Sequence, residues 1–314
     1  MEKKKSNLLV LGSGGFLGKN THKILDLENN YNLFQVIGKS TLDISNKDEL
    51  TAYLIEKKIE FIINCAAFVG GISFGYKYQA DLLNRNSEMA LSIYQSSLQS
   101  GTKLIINPIS NCAYPSVFTK YEEKYFWDGT PHESVFYYGF AKKLMVSLGR
   151  AYYEQHGLSS ANIVMSNMYG PFDHFDDSRS HALGALIRKI HNAKINNLNS
   201  VEIWGSGKPV REWLYVEDAS RALINSTSLK DGHHFFNVGV NRGISIIDLA
   251  KLIAETLEWK GEFKLNTSKP DGVMEKTVVD SQSTNLINWQ PDVELREGIK
   301  KTINWYEKEG LNDF

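Results

Sequence analysis

The apolar run Leu8-Leu9-Val10-Leu11 leads straight into Gly12-Ser13-Gly14-Gly15-Phe16-Leu17-Gly18, and a helical stretch follows from Lys19 to about Leu27. An unbroken apolar run suits a parallel strand buried on both faces. Glycines at G-x-x-G-x-x-G spacing let the backbone turn tightly at the strand's end, approach a pyrophosphate and pack helix on strand. The free N–H groups and positive end of that helix then hold the phosphates. At a first strand-to-helix junction this arrangement predicts a dinucleotide site made by Gly12, Ser13, Gly14, Gly15, Phe16, Leu17 and Gly18.

The rest of the first half repeats the alternation. Phe34-Gln35-Val36-Ile37 reads as a strand, Asp48 to Lys58 as a helix, and Phe61-Ile62-Ile63-Asn64 and Leu104-Ile105-Ile106 as buried strands. A long helical region around Ala80 to Gln99 separates the last two. Tyr137 to His156 is helical, and Ala161 to Met165 is strand-like. Strands alternating with helices predict an α/β fold with a doubly wound parallel sheet of the Rossmann type. Beyond Tyr169-Gly170-Pro171 the pattern changes: Ser178 to Ala193, Ser245 to Glu258 and Glu294 to Glu307 read as helices, with turns at Gly205-Ser206-Gly207 and Lys208-Pro209. The expected division is a cofactor domain over 1–167 plus about 213–240, and a smaller, interwoven α/β substrate domain over about 168–212 plus 241–314.

Composition narrows the function. With 15 Phe, 15 Tyr and 6 Trp in 314 residues, the chain has ample apolar surface for a core. Its 35 Lys and Arg balance 36 Asp and Glu, so it lacks the broad positive field that a nucleic-acid or anionic-membrane binder needs. No apolar run approaches the ~20 residues of a membrane span. Cys65 and Cys112 are too few for a disulfide framework and fit a reducing compartment, so a cytoplasmic location is expected.

The remaining motifs carry chemistry. Tyr138 and Lys142 stand four apart, on one helical face. A free phenol, with a pKa near ~10, is a poor acid–base group at neutral pH. A neighbouring ammonium is expected to lower that value and make proton exchange with a substrate oxygen practical. Ser110, read as lying just past a strand that ends at Ile106, is placed at the carboxyl edge of the sheet, where such folds bind ligands. NAD-selective sites put a carboxylate at the end of the second strand; here Gly38-Lys39-Ser40 follows Val36-Ile37. Lys39 and Ser40 can bind a 2′-phosphate, so NADPH is the expected cofactor, with Asp43 near the adenine.

The loop glycines, Asn64-Cys65-Ala66-Ala67, Tyr138 and Lys142 together resemble the extended short-chain dehydrogenase/reductases. Further segments, in order along nearly the whole chain, resemble the GDP-L-fucose synthase family. They are Val69-Gly70-Gly71-Ile72, Ser110-Asn111-Cys112-Ala113-Tyr114-Pro115, Asn167-Met168-Tyr169-Gly170-Pro171, Ser180-His181-Ala182, and Trp204-Gly205-Ser206-Gly207 leading to Arg211-Glu212-Trp213. The resemblance implies NADPH as cofactor and a GDP-4-keto-6-deoxy sugar as substrate, epimerised at C3 and C5 and then reduced at C4. It also implies a homodimer formed through helices at about 80–99 and 137–156.

It gives Cys112 and His181 the acid–base roles in epimerisation, and sets Ala66 and His181 beside the cofactor. A ketone at C4 acidifies the C3 and, after enolisation, C5 protons, so inversion needs a base on one face and an acid on the other. For the substrate it points to Asn167, Arg188, Lys189, Trp204, Arg211 and Lys276. Two departures stand out: Asn111 follows Ser110, and Arg188-Lys189 occupies a place where the family often has arginine. Asn111-Cys112 also replaces the Asp-Glu pair that a dehydratase would need. Several readings stay open. Cys112 could be a small apolar filler, Trp204 could pack the second domain's core, and the enzyme could reduce a hexose or heptose that another enzyme has epimerised.

Overall fold

The computed structural model describes residues 5–176, 180–269, 271 and 273–310. The first half of the chain forms β1 (Asn7–Leu11), α1 (Phe16–Glu28), β2 (Asn32–Val36), α2 (Lys47–Glu56) and β3 (Phe61–Asn64). It continues through α3 (Ile72–Lys77), α4 (Gln79–Ser100), β4 (Leu104–Ser110), β5 (Lys120–Tyr121), α5 (Phe136–His156) and β6 (Ser159–Met165). The second half contains β7 (Asn167–Tyr169), α6 (Ala182–Ile195), β8 (Ser200–Trp204), β9 (Val210–Tyr215), α7 (Val216–Asn225) and β10 (His233–Val238). It ends with β11 (Gly243–Ser245), α8 (Ile246–Thr256), β12 (Glu262–Asn266), β13 (Glu275–Val278), α9 (Ser283–Ile287) and α10 (Leu295–Lys308).

Six parallel strands form the central sheet in the order β2-β1-β3-β4-β6-β10. The apolar run of β1 is divided between two cores. Leu9 and Leu11 face one that includes Leu50, Leu54, Ile93 and Met145 from α2, α4 and α5. Leu8 and Val10 face the other, with Leu17 and Leu25 of α1 and Ala219 and Leu223 of α7. This alternation is why an unbroken apolar strand is required here. The strand order reverses direction at β1, leaving a crevice at the carboxyl ends of β1 and β3, where open α/β sheets bind ligands.

One expected boundary is corrected. The fourth strand does not end at Ile106 but continues to Ser110, paired through Ser110↔Met165 on β6. Pro108, which has no N–H, suggests an earlier stop. It is accommodated because β3 stops pairing at Ile63↔Ile106, so beyond that point β4 is bonded only to β6.

A second lobe has its own core, contributed by α6, α8, α10, β8 and β9. Its larger sheet has the order β11-β9-β13-β5, with β7 beside β9. β5 comes from the first half of the chain and pairs with β13 through Lys120↔Thr277 and Tyr121↔Val278. The helix read from Ser178 is described from Ala182; Ser178 itself lies outside the described residues. No described helix is long and apolar enough to cross a membrane.

Glu212, fully buried in β9, ties three segments together. Its carboxylate accepts the backbone N–H groups of Val240, Asn241 and Val278. Burial raises its pKa to about 7 against the opposing pull of those bonds. Glu212→Gln would set an NH2 group against backbone donors, at a cost of about 2–3 kcal/mol. The expected result is a clearly lower urea midpoint for the variant; an unchanged midpoint would contradict this role.

Candidate active site

The glycine loop is fixed by sterics. The N–H groups of Gly12 and Ser13 both donate to Val36 O, at 2.9 and 3.1 Å. Gly12 has φ +73°, and a Cβ there would lie 2.7 Å from Ala66 Cα. A Cβ at Gly18 would lie 2.1 Å from Gly12 O. A side chain at Gly12 would strike the backbone that follows β3, and one at Gly18 would push α1 away from the end of β1. α1 begins at Phe16, with Gly15 as its N-cap at the carboxyl edge of the sheet. Beyond β2, Lys39 is 80% exposed and pairs with Asp43 at 2.7 Å. Lys39, and then Ser45, hold the Asp43 carboxyl below its ordinary range.

A cavity of about 690 Å³ opens from this loop into the cleft between the lobes. Gly15, Phe16 and Leu17 line it, together with Ser110, Cys112, Tyr138 and Lys142. Ser110 Oγ accepts the Cys112 N–H at 3.2 Å, which leaves the hydroxyl proton available to another acceptor. Lys142 Nζ donates to Pro108 O at 3.0 Å and stands 5.7 Å from the centre of the Tyr138 ring. Gly139 brings these groups together: a Cβ there would lie 2.8 Å from Cys112 O. Cys65 also lines the cavity, where burial pushes its thiol up to about 12.

The expected lowering of the Tyr138 pKa by the neighbouring ammonium is not found among the protein's own groups. Among the protein groups, burial raises the Tyr138 phenol above its ordinary value, and the neighbouring Cys112 adds to the effect. Burial lowers Lys142 to about 8. Desolvation is the leading cause of both shifts.

The second lobe closes the cavity. His181 caps α6 and is open to the cavity, yet the protein crowded around it, together with His174, lowers its pKa. Arg211 and Lys276 line the same wall and are paired in register between β9 and β13. Asn167 lines it too, its Nδ2 donating to Glu212 O at 3.1 Å. Trp204 is 62% exposed at the cavity, which rules out the core-packing reading. Its Nε1 donates to Glu202, and the ammonium groups of Lys189 and Lys269 stand 5.1 and 5.3 Å from its ring. Arg188 and Lys189 do not line the cavity themselves. Lys189 approaches it through Trp204, whereas the Arg188 charge acts on Tyr306. Ala66 does not line the cavity either; its backbone lies against Gly12 and it packs against the first core.

The profile of the NAD dependent epimerase/dehydratase family matches residues 8–239. The chain belongs to that family. It is 30% identical over 313 residues to GDP-L-fucose synthase 1 of Arabidopsis thaliana, covering 99% of this chain and 96% of the relative. It is 34% identical over 268 residues to GDP-L-fucose synthase of Sinorhizobium fredii, covering 85% of each. Among solved structures, a GDP-L-fucose synthetase from Naegleria fowleri bound to NADP superposes with a TM-score of 0.88 at 25% identity, covering 99% and 97% of the two chains. A GDP-mannoheptose C4 reductase from Campylobacter jejuni with NADP bound shares the fold, with a TM-score of 0.87 at 24% identity over 98% and 100%.

Two residues of this epimerase/dehydratase-family cavity escaped the sequence reading. Asp173 and His174 line both the main cavity and a side pocket of about 140 Å³ that contains Gly14 and Lys19. Burial raises the Asp173 carboxyl to about 7, opposed by the His174 N–H. The only signal was their place just beyond Gly170-Pro171, a turn that brings Phe172 to φ +69°.

The burial of Lys142 also bears on stability. In the unfolded chain it keeps its proton up to its ordinary 10.5, but in the fold only up to about 8. Below pH ~8 folding therefore buries a charge, and this penalty disappears as pH rises towards 10.5. Lys142→Met should melt higher than the wild type at pH 7, with the gain shrinking by pH 10. A lower melting temperature at pH 7 would contradict this.

Proposed function

We propose that this protein is an NADP(H)-dependent oxidoreductase that reduces C4 of a GDP-linked 4-keto-6-deoxy sugar, after Cys112 and His181 have inverted C3 and C5. The observation that carries the reading is that Ser110, Cys112, Tyr138, Lys142 and His181 line one cavity, continuous with the glycine loop. The backbone cradle at Gly12 and Gly18, which a Cβ would fill, and the N-terminus of α1 fit a dinucleotide pyrophosphate. Lys39 fits a 2′-phosphate. When bound, NADPH supplies the hydride for C4.

The chain's own groups do the rest. Ser110 Oγ–H donates to the C4 oxygen, and Tyr138 Oη gives that oxygen its proton. Lys142 Nζ, held by Pro108 O, stabilises the phenolate left behind. Cys112 Sγ and the His181 imidazole exchange the C3 and C5 protons from opposite sides. Crowding keeps that imidazole neutral at lower pH than usual, ready to take a proton. Arg211 and Lys276 neutralise the diphosphate, and Asn167 orients it. Trp204, with Lys189 beside it, offers a stacking face to the base.

Residues 1–167 plus about 213–240 would then hold the cofactor, and about 168–212 plus 241–314 the sugar nucleotide. A homodimer through α4 and α5 completes the reading; exposed Leu91, Leu98 and Phe140 on these helices support it.

The test uses NADPH and GDP-4-keto-6-deoxymannose in deuterated water. The wild type should place deuterium at C3 and C5, and Cys112→Ser should lose the label while still reducing the ketone. Tyr138→Phe should lose about 10²–10⁴-fold in turnover, and Lys39→Glu should shift preference towards NADH. Label surviving in both Cys112→Ser and His181→Asn would overturn the acid–base assignment. A wild type that reduces without wash-in would be a reductase acting on a sugar already epimerised.

A further inference from the structure

Seven asparagines are buried among the described residues, and six of them give their side-chain NH2 a protein acceptor. Asn107, for example, donates to Tyr94 Oη and Asn162 Oδ1, and Asn237 donates to the carbonyls of Tyr121 and Val279. Asn111 is the exception. It is 3% exposed, its Nδ2 is enclosed without a partner, and its Oδ1 receives no hydrogen bond from any described residue. It lines the cavity between Ser110 and Cys112. Its turn does not need the side chain, because the backbone carbonyl of Asn111 already accepts the Tyr114 N–H at 3.1 Å. An unpaired buried amide weakens a fold, so this carboxamide gives the protein alone nothing in return for its burial.

We propose that Asn111 is a specificity-determining residue that binds the C3 hydroxyl of the sugar. The inference rests on the function proposed above. In a 4-keto-6-deoxy sugar the carbonyl carbon has two ring neighbours. C5 carries the ring oxygen and a methyl group, so the only hydroxyl beside the carbonyl is on C3. Asn111 directly follows Ser110, which holds the carbonyl oxygen. A hydroxyl both donates and accepts, which matches an amide that has one acceptor and two donors to offer. The diphosphate needs cations, and those stand elsewhere, at Arg211 and Lys276.

The test titrates the full-length wild type, Asn111→Ala and Asn111→Ser with GDP, GDP-L-fucose and the 3-deoxy analogue of GDP-L-fucose, in saturating NADP, by calorimetry. The wild type should bind GDP-L-fucose about 5- to 10-fold tighter than the 3-deoxy analogue, the scale of one net hydrogen bond. In both variants the two sugars should bind alike, with GDP and NADP affinities unchanged. The ligand-free variants, and Asn111→Leu, should melt no lower than the wild type. A preference for the 3-hydroxyl that persists in the variants would overturn the proposal. So would a fall in melting temperature accompanied by loss of GDP and NADP binding, because that marks a structural role. A wild type that binds both sugars equally would defeat the proposal alone, and one that binds neither GDP nor GDP-L-fucose would defeat the functional reading beneath it.

Discussion

The arrangement depends on one close contact, that of α5 with the turn after β4. Gly139 lies in that contact, where a side chain would meet both Cys112 O and Pro131 at 2.8 Å. Tyr138 and Lys142 sit on either side of that glycine, one residue before it and three after. Pressing the helix onto the turn therefore sets both against Ser110 and Cys112. The turn is itself anchored, because β4 stays in register on β6 as far as Ser110↔Met165. A methyl group at Gly139 would have to displace either the helix or the turn, and Tyr138 and Lys142 would move away from Ser110 and Cys112.

The other walls of the cavity are held by comparably local constraints. Gly12 lies on the Ala66 backbone and Gly18 on Gly12, so α1 must begin where the crevice opens. Across the cleft, β9 turns Arg211 and Trp213 towards the cavity, while Glu212 between them points into the protein and gathers three backbone N–H groups. Strand alternation thus makes one segment both a cavity wall and an internal clamp. β5 pairing with β13 binds the first half of the chain to the second lobe, which limits how freely the cleft can open.

Much of this was legible in the sequence, and the gaps have physical causes. The β1 run and its glycines declared the strand, the loop and the helix, because burial on both faces and backbone contact each leave a compositional mark. Pro108 concealed the end of β4, since the pairing that tolerates it is decided by a neighbouring strand. β5 has two residues and exists only through β13, so no local pattern could announce it. Tyr138 and Lys142 were found by spacing, but the direction of the Tyr138 shift depends on burial, which spacing does not report. Asp173 and His174 carry no periodic signal and reach the cavity only through the turn at Phe172. Arg188 and Lys189 are adjacent in sequence, and a helix points adjacent residues in different directions, so only one of them approaches Trp204.

The proposed reaction moves a hydride from NADPH, held in this cavity, to C4 of a GDP-linked keto sugar. The most direct measurement follows the fate of deuterium carried on the nicotinamide C4 of stereospecifically labelled NADPH, with GDP-4-keto-6-deoxymannose as acceptor in ordinary water. One deuterium per product is expected, at C4 of the sugar and nowhere else, when the product is read by NMR. Consumption of the sugar nucleotide without transfer of the label, or deuterium at a different carbon, would contradict it.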